Sequence, residues 1–189
     1  MEPLLAIVLL LLLAGAILVV LAYNRFVAQA ASIDATWANI EGELQRRHDL
    51  VPNLVASVQG YAAHESQVLE QVTAARVRAI AAVPSSVPIE HQARAEDELT
   101  RGLTSLLAVS ESYPELESDA VFRDLQRQLV ETEDRIAAAR RLYNLEVASY
   151  ERRRRSIPSN LVANGAGFEP RRMFEIRDPA AEHTPHVPR

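Results

Sequence analysis

Apolar residues are laid out along this chain in two ways. From Leu4 to Ala22 they form an unbroken run with no charge, amide or hydroxyl, and beyond it they recur in steps of three and four. At ~1.5 Å per residue a helix of that run would reach ~28 Å, close to the ~30 Å hydrocarbon core of a bilayer. Residues 4–22 are therefore expected to cross a membrane once. A removable secretory signal would carry a basic stretch ahead of the apolar run, and only Met1, Glu2 and Pro3 stand there, so a retained anchor is the expectation.

The stepped pattern begins at once, through Tyr23, Phe26, Ala30, Ile33, Trp37, Ile40 and Leu44. This is a heptad seam, the mark of a helix packed on other helices at a shallow angle. No turn residue separates it from the anchor, which predicts a membrane helix that continues into the aqueous domain. A second series, Leu54, Val58, Tyr61, Val68, Val72, Ala75 and Ala79, keeps the same phase across Asp49-Leu50-Val51-Pro52-Asn53. Two readings of that junction stay open. Pro52 either kinks one continuous helix, or marks a tight reversal with Asp49 capping a new one. In the first case the helix count falls to three, and in the second it is four.

Pro84-Ser85-Ser86-Val87-Pro88 reads as a loop, with a helix opening near Pro88 whose inner face holds Leu99, Leu103, Leu106, Leu107 and Val109. Tyr113-Pro114 ends it. Ser118 or Asp119 can cap a last long helix that buries Phe122, Leu125, Leu129, Ile136, Ala139, Tyr143, Val147 and Tyr150. No strand fits. The predicted fold is all-α: an N-terminal transmembrane helix leading into an antiparallel, four-helix up-and-down bundle. Residues 1–3 are the short non-cytoplasmic end, 4–22 the span, 23–157 the bundle, 158–176 an irregular extension and 177–189 a disordered tail.

Composition agrees with helix: six glycines and four phenylalanines occur among 189 residues. All twenty basic residues are Arg, and the net charge of −5 argues against a general nucleic-acid binder. Orientation rests on charge beside the span. Its N-terminal side has no basic residue and the other side begins with Arg25, which places the bulk of the chain in the cytoplasm of a single-pass cell-membrane protein. The lack of cysteine rules out lipid attachment through a thiol.

Catalytic patterns fail. His64-Glu65 could open a zinc-protease motif, but Val68 occupies the place of the second histidine. None of the five histidines follows a Glu by three residues, as a di-iron bundle requires, and His183 and His186 lie in the tail. No serine elbow or phosphate loop occurs. No cofactor, metal or catalytic residue is assigned.

The run Arg46-Arg47-His48-Asp49-Leu50-Val51-Pro52-Asn53-Leu54-Val55, followed by Tyr61 and His64-Glu65, resembles the central motif of the LemA family. Tyr23-Asn24, Trp37, Tyr113-Pro114-Glu115-Leu116, Phe122, Thr132-Glu133, Ala139-Arg140, Tyr143-Asn144, Val147 and Tyr150 stand in that family's order, and the resemblance extends to about Glu175. Glu151 departs from it, standing where the family usually shows Asn. The resemblance implies a membrane-anchored antiparallel four-helix bundle without established enzymatic activity. Some similar proteins are encoded with membrane peptidases, which implies an accessory role.

Two groups of residues are candidates for function. Arg46, Arg47, His48, Asp49 and Asn53 gather polar groups at the Pro52 junction, where they would form a recognition patch for a membrane-associated protein partner, or cap and pair locally with Glu43. Arg152, Arg153, Arg154 and Arg155 close the last helix. In a four-helix up-and-down bundle they return to the anchor and face anionic lipid headgroups of the bilayer; in a three-helix plan they point away. The leading function is a non-catalytic membrane-anchored scaffold that binds membrane proteins or self-associates. The alternatives are an auxiliary subunit of a membrane protease or transport system, and a hydrolase with an unrecognised site.

Overall fold

A computed structural model describes residues 1–83 and 87–175. Pro84 to Ser86 of the expected loop, and the expected tail at 177–189 with His183 and His186, lie outside the described residues. Every regular element among the described residues is a helix: α1 (Glu2–Tyr61), α2 (Ser66–Ala81), α3 (Ile89–Ser110), α4 (Pro114–Ser118), α5 (Ala120–Arg155) and α6 (Ser159–Gly165).

The Pro52 junction resolves as one continuous helix, with Pro52 inside α1 and Asp49 in mid-helix, not at a cap. The chain reverses later, at Ala62–Glu65, where Ala62 N–H still bonds Val58 O and Glu65 N–H bonds Ala62 O. Only Gly60 hints at this turn in the sequence. Continuity through Pro52 therefore does not reduce the bundle to three helices: α1, α2, α3 and α5 still make four.

The helix directions follow from paired contacts. Along α2 and α3, Val72 meets Gly102 while Arg78 bonds Glu98 at 2.8 Å, so the two run antiparallel. A Cβ at Gly102 would stand 3.3 Å from Val72 Cγ2, so its absence allows the close approach. Along α1 and α5, Glu43 faces Arg135 at 3.8 Å and Arg46 faces Glu131 at 3.9 Å, again antiparallel. Asp119 caps α5 as expected, its Oδ1 accepting Phe122 N–H at 2.8 Å.

The chain divides into two compact units, Met1–Ala38 with Arg141–Met173, and Asn39–Arg140 with the chain from Phe174. The second unit has a continuous apolar core in which Leu54 and Val58 of α1, Val72 and Ala79 of α2, Leu99 and Leu106 of α3, Leu116 of α4 and Phe122 of α5 are buried. Each such side chain contributes roughly 1.5–3 kcal/mol by leaving water.

The first unit contains the apolar run, which is exposed along its length, and an aromatic cluster. Phe26 stacks on Phe168 at 4.9 Å and meets Tyr150 edge-on at 5.8 Å, and Trp37 lies 5.3 Å from Tyr143. Residues 158–176, expected to be irregular, instead begin with α6. Gly167, at φ 73°, turns the chain off its end while Phe168 N–H bonds back to Ala163 O at 2.9 Å, the six-to-one bond of a Schellman cap. That turn delivers Phe168 to Phe26. The segment beyond it is held by backbone carbonyls: Tyr150 donates to Glu169 O at 2.8 Å and Tyr143 to Arg172 O at 2.9 Å.

Candidate functional site

Among the described residues, the second unit buries one cluster of charged side chains. Arg47 falls at a seam position, between Ile40 and Leu44 before it and Val51, Leu54 and Val58 after it, so α1 turns it inward with the apolar residues. Glu96 does the same on α3, in the series Gln92, Glu96, Leu99, Leu103, Leu106 and Ser110. Their side chains are 1% and 0% exposed, and the two form a charge-assisted bond, Arg47 Nη2 to Glu96 Oε2. Arg47 Nη1 reaches Glu133 of α5 at 2.9 Å and Thr100 Oγ1 at 3.1 Å. His48 Nε2 donates to the other Glu96 oxygen at 3.0 Å. Three helices are thus joined around one guanidinium.

The fourth helix enters through a backbone group. Pro52 has no N–H to offer the carbonyl four residues back, which belongs to His48. Arg76 of α2 supplies the missing donor, its Nε bonding His48 O at 2.6 Å. The proline inside α1 is therefore matched by a guanidinium on α2, and the buried carbonyl is satisfied.

Electrostatics keep Arg47 and Glu96 ionised. Burial alone pushes the Arg47 guanidinium down, but the charges of Glu133 and Glu96 outweigh it and hold Arg47 above its ordinary value. Burial likewise pushes Glu96 up, and the His48 hydrogen bond with the Arg47 charge brings it below the usual carboxylate range. A carboxylate so held is a poor general base near neutral pH. Two clefts on this unit, one beside Arg123 and Arg127 and one beside Arg78 and Arg101, are not lined by Arg47, His48 or Glu96. The arrangement fixes charge; it does not present it.

The five residues expected to form a recognition patch are accordingly divided. Arg47 and His48 are buried, which corrects the expectation of one surface: on a helix, successive residues point about 100° apart, and the seam takes these two inside. Arg46, Asp49 and Asn53 remain toward solvent, with Asp49 accepting from Gln45 Nε2 at 2.8 Å. Glu43 pairs with Arg135 and not with the Arg46-Arg47 dipeptide. Glu96, Glu133, Thr100 and Arg76 were not identified from the sequence. The readable signal was the unbroken seam spacing through Arg47 and Glu96.

The Arg run of the first unit is divided in a similar way. Glu151, the residue that departs from the family pattern, gathers Arg154 at 3.0 Å, Arg155 at 3.4 Å and the backbone N–H of Arg171 at 2.9 Å. Burial pushes Glu151 up, but the Arg154 and Arg171 donors overcome it and lower it. Arg152 is exposed, and Arg153 turns into a cleft of about 530 Å³ shared with Arg25 and the end of the apolar run. Among the described residues no cluster of His, Asp and Glu is disposed to hold a metal ion. His64 lies in the turn before α2, off any helix.

An apolar N-terminal helix long enough to span a bilayer, with an antiparallel helical bundle whose charged interior is closed on itself, defines a class of membrane-associated, all-helical bundle proteins. The LemA family matches residues 36–188, and the chain belongs to that family. It is similar to magnetosome proteins MamQ 2 and MamQ 1 of Paramagnetospirillum magneticum, each 27% identical over 175 residues, which cover 81% of this chain and 64% of the relative. MamQ of Magnetospirillum gryphiswaldense is 27% identical over 187 residues, covering 87% and 68%. The chain thus spans a little under two thirds of the length of the first two relatives.

Proposed function

We propose that this chain is a non-catalytic, membrane-anchored interaction protein whose bundle lies on the cytoplasmic side. The closure of the Arg47–Glu96–His48 cluster carries this reading. Arg47, Glu96 and His48 are engaged with one another, and none of them lines the cleft beside Arg123 and Arg127 or the cleft beside Arg78 and Arg101, which leaves the surface and the anchor as the working parts. The magnetosome names of the relatives support a membrane setting. Sidedness is supported by Arg25 and the Arg152 to Arg155 run, which belong to the same unit as the span and suit the leaflet richer in anionic lipid.

A second form of the same reading is an auxiliary subunit of a larger membrane complex, favoured by the exposed apolar pair Leu142 and Leu145 on α5. Crosslinking in native membranes followed by mass spectrometry tests both. One stoichiometric neighbour identifies an auxiliary subunit, and links between copies of this chain identify a scaffold that self-associates. Recovery of the chain as an uncrosslinked monomer, with turnover of a small-molecule substrate, overturns the proposal.

A further inference from the structure

Two guanidinium groups stand side by side in the first unit without a carboxylate. Arg25 is three residues beyond the apolar run, and Arg153 approaches it from the last turn of α5. Among the described residues Arg154 and Arg155 are neutralised by Glu151, whereas Arg25 and Arg153 have no acidic partner, and Arg153 Nη1 is buried without a hydrogen-bond acceptor. Burial, and then the charge of Arg25, hold the Arg153 guanidinium below its usual value. An isolated pair of like charges in a partly desolvated place is unfavourable unless an anion joins it.

The surroundings restrict what that anion can be. The cleft around the pair is apolar on both sides, with Leu18 and Ala22 of the span facing Leu161 and Val162 of α6. Leu161 is 70% exposed and Ile157 is 83% exposed, beside a helix that is itself bare hydrocarbon along its length. In water these side chains would be a liability, but at the boundary of a bilayer they insert among acyl chains while the arginines stay at headgroup depth.

We infer that Arg25 and Arg153, with the apolar cleft between the span and α6, form a binding site for one anionic phospholipid: the two guanidiniums take the headgroup phosphate and the cleft takes the first part of an acyl chain. Planar guanidinium donors suit phosphate oxygens, and the negative charge of one phosphodiester placed between the two relieves their mutual repulsion. Ser159, also on the cleft, adds a hydroxyl donor. The wider Arg run then divides by role, with Arg153 in the site, Arg154 and Arg155 fixed to Glu151, and Arg152 free at the surface.

The inference rests on the anchor reading, and the test separates the two. The full chain is reconstituted in bilayers of phosphatidylcholine with a minority of phosphatidylglycerol, extracted in mild detergent, and weighed intact by native mass spectrometry. Retention of one phosphatidylglycerol in preference to phosphatidylcholine is expected. R25Q and R153Q should each lower that retention about fivefold, while R152Q, which removes the same charge a residue away, should leave it unchanged. Glycerol phosphate should not displace the lipid, because it lacks the acyl chain; displacement would make this a site for soluble phosphate and overturn the proposal. Equal retention of both lipids, or equal losses in R152Q and R153Q, also overturns it. Failure of the chain to remain in the bilayer at all would remove the anchor together with the site, whereas a chain that stays inserted without selecting the anionic lipid removes only the site.

Discussion

Two places in this protein bring guanidinium groups out of water, and they are built on opposite plans. Around Arg47 the charge is enclosed by Glu96, Glu133, Thr100 and the imidazole of His48. Around Arg153 the charge that acts on it is another arginine, Arg25, and the walls are largely apolar. The first arrangement pairs its charges within the chain, although Arg47 Nε and His48 Nδ1 are buried without a hydrogen-bond partner, so its loss should be read in stability. The second is complete only with something from outside, so its loss should be read in binding.

The strongest way to break this contrast is to remove Arg47. R47A leaves the buried Glu96 carboxylate without its cationic partner and with only the His48 imidazole against it, and thermal unfolding of the detergent-solubilised full chain, followed through the single tryptophan, Trp37, should show a loss of about 3–5 kcal/mol. An unchanged melting temperature together with a lost crosslinked partner would instead return Arg47 to the recognition role that the sequence suggested.

Acid provides a second test. Glu96 has a folded pKa lowered below its unfolded one, so its contribution is fully present above the ordinary carboxylate pKa and is lost as pH falls through the lowered value. The melting temperature should drop as pH is taken below that of an ordinary carboxylate, and E96Q, less stable at neutral pH, should show a shallower drop. An identical acid profile in E96Q would show that other carboxylates govern the acid response.

Removing the donor from α2 should cost less. R76M strips the partner from the His48 carbonyl and should destabilise by about 1–2 kcal/mol. In a P52A background the α1 backbone regains the N–H that the proline lacks, and the same R76M change should then have little effect. Equal costs in the two backgrounds would mean that Arg76 acts through packing alone. The smallest effect belongs to the other plan: R153Q should shift stability by no more than about 0.5 kcal/mol, because it relieves repulsion with Arg25. A loss as large as that of R47A would erase the distinction between the two sites.

The same contrast marks where reading the sequence succeeds. Ile33, Ile40, Leu54, Leu99, Phe122 and Tyr150 are buried as the seam requires, since apolar periodicity and burial have the same cause. Arg47 and Glu96 occupy that seam, but an arginine or a glutamate is ordinarily a surface residue, and the partners that make burial tolerable lie 49 and 86 positions from Arg47 in the chain. Proline misleads for a related reason. Its local cost is plain at Pro52, while the compensating donor is on another helix. The hydroxyls of Tyr150 and Tyr143 hold the Glu169 and Arg172 carbonyls, a pairing that periodicity does not show because the returning segment supplies it. Which side chains of the Arg run face outward was beyond periodicity, since Glu151 decides it.

Because only one carbonyl along α1 is stripped by a proline, Arg76 has a single place to dock. Sliding α2 past α1 by a helical turn would leave that oxygen bare and carry the guanidinium to carbonyls already engaged. The proline thus works as an index mark, setting the axial alignment of two rods whose small, repetitive alanine and valine contacts would otherwise permit several.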